Sequence, residues 1–342
     1  MVRHPFRFSQ YEINLNQVEA SNCQLDKTNL PFNSLISFIF FSLLIFACTP
    51  QDTTTLSFTT QQSDMGFALK HIHFFDDTTG VAMGGVNYQF GLAQFTVDGG
   101  RTWSLDTVSQ KIVRDFDVVG DNIYSIGIDN FLTRKEGSLP WEELPTPEGG
   151  ESNGLIKTKT GYVFVGGIAI LEGYVIRLSD DFSEVSKLEI DGEMNAVARS
   201  SDTNLHMVGF GSIRRSDDEG ITWVENIKDG DDYRDVFFIN EHIGWIVGNA
   251  GSILKTEDGG FSWETMREAR AHNKLRWNRI HFASESLGVI VGDDGLVWMT
   301  EDAGQNWIAL DGIPDVNYSS VFVHEDFIVL GSDQGEIIKL FL

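Results

Sequence analysis

The side chains with chemical reach in this chain are cations, adjacent carboxylates and scattered histidines. Guanidinium groups clamp carboxylates through paired N–H donors, and Arg114, Arg234 and Arg279, joined by Lys70, are the candidates for that task. Adjacent acids such as Asp293-Asp294 are what proton transfer would use. They stand in a Gly-containing loop, where a polar turn is the ordinary explanation. Asp217-Asp218-Glu219-Gly220 lacks the ligand spacing of a calcium loop, and Asp229-Gly230-Asp231-Asp232 reads as a solvated loop. His71 and His73 alternate along one predicted strand, which is expected to leave only one facing inward. His206, His242, His272 and His324 are dispersed. No metal and no cofactor is expected from this inventory.

Four copies of an eight-residue turn, Ser/Thr-x-Asp-x-Gly-x-(Ser/Thr/Asn)-Trp, supply the elements that must position these groups. They run from Thr96 to Trp103, Ser216 to Trp223, Thr256 to Trp263 and Thr300 to Trp307. Their aspartates, Asp98, Asp218, Asp258 and Asp302, lie 120, 40 and 44 residues apart, so the first gap is three units of the second. A period near 40 is the mark of a repeat architecture. Within each copy the carboxylate is expected to accept backbone N–H groups just downstream. Gly100, Gly220, Gly260 and Gly304 suit a positive φ, and Trp103, Trp223, Trp263 and Trp307 bury a large ring. These residues resemble the Asp-box (BNR) repeat of β-propellers. Sialidases carry the same box on an outer rim away from the active site, so the resemblance implies a structural role for these aspartates.

Aligned on the boxes, the chain reads as a repeated four-strand unit, clearest in Arg234–Phe238, Gly244–Gly248, Gly251–Lys255 and Phe261–Glu264. Two degenerate copies fill the long gap, with Lys135-Glu136-Gly137 and Ser179-Asp180-Asp181-Phe182 where a box would stand. A seventh unit starting at Ser319 ends one strand short, and the segment Leu56 to Thr60 can supply the missing outer strand. The expectation is all-β: one seven-bladed propeller of four-stranded blades over 56–342, closed by that N-terminal strand, with helix content near zero. The repeat over 244–263 is similar to that of the photosystem II assembly and stability factor propellers, and the resemblance covers about residues 65–342. That family implies a non-enzymatic scaffold that binds a membrane-protein assembly intermediate. Xyloglucan hydrolases use the same box but need two facing propellers, and there is room for one.

Residues 35–47 form an apolar run interrupted only by Ser37 and Ser42, with Lys27 upstream and Cys48 directly after. Thirteen helical residues span about 20 Å, short of the ~30 Å hydrocarbon core, which fits a signal-peptide core. Ile45-Phe46-Ala47-Cys48 resembles a bacterial lipobox with Cys48 as the lipidated residue. The expected division is a leader over 1–47, with residues 1–30 unstructured, a tether over 48–55 and the propeller beyond. The chain would sit in the cell envelope, lipid-anchored at a membrane and facing periplasm or exterior. Cys23 and Cys48 are the only cysteines, so no disulfide framework is available. Residues 1–47 hold three bases and three acids, so the net charge of −25 belongs to the rest and disfavours nucleic acid.

In a propeller the entrances to the innermost strands share one face with the loops between strands two and three, opposite the box turns. Lys70, Arg114, Arg234 and Arg279 stand at four of those seven entrances. The loop 266–277 adds Arg267, Arg270 and Arg276, with Trp277 at its end, the residue types that anchor interfaces. The expected function is a monomeric, membrane-anchored binding or scaffold propeller. It would recognise a membrane or envelope protein through this basic patch and assist assembly or stability of a complex. The alternative is a sialidase-like or other glycoside hydrolase, or a glycan-binding propeller. Arg114, Arg234 and Arg279 with Tyr233 would be its site, but no Glu neighbours Tyr233 and the Phe/Tyr-Arg-Ile-Pro segment of sialidases is absent.

Overall fold

The computed structural model describes residues 9–14, 55–62, 67–147, 150–168, 171–269 and 275–342. These residues form strands and turns with no helix, arranged as six antiparallel sheets. Four sheets have four strands each, in simple up-and-down order, as propeller blades do. A six-stranded sheet arises because one long strand, Val224–Phe238, pairs with Leu205–Ser216 along its first part and with Gly244–Gly248 along its second. The remaining sheet joins the two ends of the described chain. Thr55–Gln62 lies antiparallel to Glu336–Phe341, with Ser57 opposite Phe341 and Gln62 opposite Glu336. Ser9–Asn14 adds a further strand outside Thr55–Gln62, where an unstructured segment was expected.

Burial follows strand position. The second strand of a sheet is buried along its whole length, as in Gly244–Gly248 and Gly288–Gly292, because sheets pack on both of its faces. An outer strand such as Glu184–Ile190 is mostly exposed. The core is divided into clusters, each shared by neighbouring four-strand units. Phe67, Leu69, Ile72 and Phe74 of the first unit pack on Phe322, Phe327, Val329 and Ile337 of the last. The innermost strands touch in sequence, Ala68–Phe74 against Val113–Val119 and onward to Tyr318–Val323, which touches Ala68–Phe74 again.

Candidate functional site

Each box turn is built as its residue types require. In the third copy Asp258 Oδ1 accepts the Ser262 N–H at 2.9 Å, and Oδ2 accepts the Ser262 hydroxyl at 2.6 Å. Thr256 Oγ1 accepts the Gly260 N–H at 2.9 Å. In the fourth copy Asn306 replaces that hydroxyl with its amide, Nδ2 donating to Asp302 Oδ2 at 2.7 Å. Gly100, Gly220, Gly260 and Gly304 all have φ near +80°. The residue before each is also left-handed, and in two copies it is Glu219 (φ 57) and Ala303 (φ 64). All these contacts lie within the turn, so the aspartates are committed to structure.

On the opposite face the innermost strands share a feature that periodicity alone does not reveal. Register jumps between Leu69 and His71, Val113 and Asp115, Ser152 and Gly154, Met194 and Ala196, Tyr233 and Asp235, Trp277 and Arg279, and Tyr318 and Ser320. Each jump is a β-bulge, which re-aims the extra side chain. The extra residues are Lys70, Arg114, Asn153, Asn195, Arg234, Asn278 and Ser319, and all seven line one cavity of about 410 Å³. Opposite the residue before six of the bulges stands a glycine. A Cβ on Gly84 would lie 1.9 Å from the Ala68 carbonyl oxygen, and one on Gly127 1.9 Å from that of Ile112. These glycines, on the second strand in six of the seven bulged pairs, were the signal in the sequence.

All four cations read at the strand entrances line this cavity: Lys70, Arg114 and Arg234 occupy bulge positions, and Arg279 follows its bulge and also lines the cavity below. The arginines are also paired. Arg114 Nη2 meets Glu151 Oε2 at 2.7 Å while Nη1 donates to Asn153 Oδ1 at 2.8 Å. Arg234 Nη2 meets Asp232 Oδ2 at 2.7 Å, and Arg279 Nη1 lies 3.6 Å from Asp235 Oδ1. Glu193, Asp293 and Asp333 line the same cavity. The mouth is therefore a charge-balanced, donor-rich bowl and not an uncompensated basic patch. Donors remain, since Arg234 Nε is buried without a partner. Sequence reading also missed the asparagines. Asn195 Nδ2 donates to Tyr233 O and Asp232 Oδ1, both at 2.8 Å, and Asn278 Nδ2 to Tyr318 O at 2.9 Å, clasping each inner strand to the next.

Lys70 is the exception. Every other lysine whose side chain is described has an ion pair or a hydrogen bond; Lys70 has neither. Burial, then the charges of Arg279 and Arg114, hold its ammonium below the ordinary lysine value, and Asp333 pulls the other way.

Below the mouth a second cavity of about 400 Å³ is lined by Asp115, Asp117, Asp235, His71, His73 and His281 among others. Neighbouring innermost strands share no ladder, so their inward N–H groups need other acceptors. Asp115 Oδ2 accepts Leu155 N at 2.9 Å, Asp235 Oδ2 accepts Ile280 N at 2.9 Å, and His281 Nδ1 accepts Val323 N at 3.2 Å. His71 and His73 both line this cavity, because residues two apart on a strand share a face; the expectation that only one would face inward is corrected. Burial pushes His73 down to about 4 and His281 to about 3, with neighbouring histidines adding to each shift. Among the described residues no group of three or more His, Cys, Asp or Glu could hold a metal ion.

Arg267 and Arg276 do not line this bowl, though Arg276 reaches Asp293, which does. Arg276 Nη1 lies 3.9 Å from Asp293 Oδ2, and Arg267 donates to the Gly251 carbonyl. Trp277, expected as an exposed anchor, is fully buried and packs edge-on against Trp298 at 5.0 Å, since it lies on the inner strand and not in the loop. Tyr233 packs in the core with Val236 and Ile246, away from the arginines it would need in a hydrolase site. Arg270 and Cys48, with most of the leader and most of the tether, lie outside the described residues.

Blade-like four-stranded sheets, box turns on one face and a bulge-lined polar mouth on the other define a β-propeller of the Asp-box class. Within that class, residues 226–315 match the family described as photosynthesis system II assembly factor YCF48. The match falls where the repeat is clearest. A photosystem II assembly lipoprotein Ycf48 from Synechococcus sp. (strain CC9902) is 25% identical over 189 residues, covering 52% of this chain and 56% of that protein. The chain thus spans about half the length of this curated relative. Among solved structures, YCF48 bound to D1 peptide superposes with a TM-score of 0.63 at 15% identity, covering 83% of this chain and 95% of that one. YCF48 from Cyanidioschyzon merolae gives 0.64 at 14% identity, covering 82% and 98%. Similarity at that identity shows the fold; together with the family match, the chain resembles the photosystem II assembly-factor propellers.

Proposed function

We propose that this chain is a non-enzymatic, membrane-anchored propeller that recognises a membrane-protein partner at its mouth and assists assembly of a complex. The reading counts seven blades, taking the six-stranded sheet as two that share Val224–Phe238 and the strand Thr55–Gln62 as the outer strand of the last. Seven bulged strand pairs and the contact of the last unit with the first support that count. The partner's segment bears a carboxylate, which fits an unpaired ammonium and spare guanidinium donors. The observation that carries this reading is Lys70, held without a partner in a chain with twice as many acids as bases. A lipid at Cys48 would hold the mouth near a membrane surface, facing periplasm or exterior. The lipoprotein relative and the peptide-bound propeller support both parts of the reading.

The test is capture after in-cell crosslinking, comparing the wild type with Lys70→Glu and Arg234→Glu. Reversed charge is expected to lower recovery of the same membrane protein about tenfold or more, as truncating interfacial charge pairs does. Equal recovery by variants with unchanged melting would discard the mouth as the recognition surface.

A further inference from the structure

The fourth strand of the last unit, Thr55–Gln62, differs from the outer strands of the other units. An outer strand leaves one row of backbone N–H and C=O groups unmatched, and charges, prolines or brevity keep foreign strands off that row. Ser104–Ser109 carries Asp106, Glu184–Ile190 carries Glu184, Lys187 and Glu189, and Glu264–Arg267 begins and ends on a charge. The outer part of Val224–Phe238 carries Glu225 and Lys228. Glu142–Leu144 has three residues and Ile308–Ala309 two. Thr55–Gln62 has eight, with no charge and no proline among them. Its outer row is taken instead by Ser9–Asn14, running antiparallel from Ser9 opposite Thr60 to Asn14 opposite Thr55. Ser9–Asn14 meets no other strand to a comparable extent, so the ladder is its main attachment. Tyr11 is in register with Phe58 and Ile13 with Leu56, which puts an apolar residue at alternate positions. Residues 9–14 also fall in the segment read as a leader, which ends at Ala47. Cleavage before Cys48 would bare the row seven residues from the lipidated cysteine, within about 25 Å of it along an extended chain.

We propose that the outer row of Thr55–Gln62 is a strand-accepting site, held by Ser9–Asn14 in the uncleaved chain and by an extended segment of a membrane-protein partner once the leader is removed. Strand addition draws affinity from main-chain hydrogen bonds and selectivity from alternate side chains. The accepted segment runs antiparallel to Thr55–Gln62 and carries apolar residues at the positions of Tyr11 and Ile13, opposite Phe58 and Leu56. The nearby anchor keeps that segment close to the membrane surface. Before processing the chain blocks its own site, because a strand on the same chain competes without loss to dilution. The proposal rests on the leader reading and is independent of the mouth.

The experiment produces the full chain in a bacterial host and measures, by anisotropy, binding of a fluorescent peptide of residues 7–16. Wild type extracted in detergent is expected to have lost residues 1–47 by intact mass, and Cys48→Ser to have kept them. The processed form should bind the peptide about tenfold or more tightly than Cys48→Ser does, because its site is vacant. Adding Tyr11→Pro and Glu12→Pro to Cys48→Ser unseats the resident strand, since one of two adjacent residues must face the ladder. Its affinity should then approach that of the processed form. The peptide carrying the same two prolines should not bind. No binding by the processed form, equal binding by the two forms, or residues 1–47 retained on the membrane-bound wild type would each overturn the proposal. So would a stable dimer of the processed form that excludes the peptide, because a second copy would then be the occupant. The comparison of wild type with Cys48→Ser decides the matter even if the proline variant fails to fold. Failure here leaves the mouth reading to its own capture test.

Discussion

At the level of single residues the box turn is the most legible part of this chain. Its donors and acceptors all lie within eight positions, so the spacing was enough to state that Asp258 accepts a backbone N–H just downstream, found at Ser262, though not the bonds made by the Thr256 and Ser262 hydroxyls. The mouth was not legible in the same way. Arg114 was readable as a cation at a strand entrance, but its partner Glu151 is 37 positions along, on the next unit. Nor did the repeat expose the second left-handed residue, because Gly, Glu, Gly and Ala occupy it in the four copies. A side chain with a Cβ there is strained, and Ala303 offsets the strain only with one methyl packed against the cluster around Trp245 and Phe282. Ala303→Gly is therefore expected to raise stability by about 0.5–1 kcal/mol, the relief of a left-handed non-glycine less the added freedom of the unfolded chain. Urea titration with an unchanged slope measures it; a loss of stability would mean that the strain is absent.

Among the elements, the bulged pair of inner strands is what makes the mouth. The alternation of apolar residues gave strands one and two their limits but not their register, since a bulge adds a residue without breaking the pattern. The reading therefore missed that Arg279, one position past its bulge, lines the lower cavity as well as the mouth. The glycine on strand two carries the missing information in six of the seven pairs: at Gly84 and Gly127 a Cβ would collide with the carbonyl that precedes the bulge, that of Ala68 or Ile112. Gly127→Ala should cost about 1–3 kcal/mol or more, the range for overpacking, because its Cβ would meet Ile112 O, a backbone atom with nowhere to go. Gly137→Ala is the control, with φ +50° but nothing within 4 Å. If the two variants unfold at the same urea concentration, close approach is not what selects glycine at strand ends.

Considered as a whole, the molecule keeps neutral imidazoles in its interior. His73, His281 and His206 have folded values of about 4, 3 and 3 against an ordinary 6.5, with burial the leading cause in each case. His206 stacks on Phe238 at 4.1 Å. The unfolded chain takes up protons at these sites below pH 6.5 and the folded chain does not, so stability is present above that pH and lost as it falls. Between pH 6.5 and 5 each histidine contributes a slope of about 1.4 kcal/mol per pH unit at most. Asp117 and Asp235, pushed up by burial, act in the opposite direction as they take up protons. Unfolding free energies at pH 7, 6 and 5 are expected to decline steadily, and a flat profile would contradict burial of the neutral rings.

The pairing of Thr55–Gln62 with Glu336–Phe341 has a consequence for how the chain is made. A ribosome releases the earlier strand long before its partner, and no local contact can substitute. While synthesis proceeds, the row of backbone donors and acceptors on Thr55–Gln62 that faces away from Ser9–Asn14 waits open. A chain stopped even a few residues short of Phe341 would keep that row unmatched, whatever the quality of the rest. Completion of Glu336–Phe341 is thus what matches that row, and a holding factor acting on the nascent chain would find its target on Thr55–Gln62.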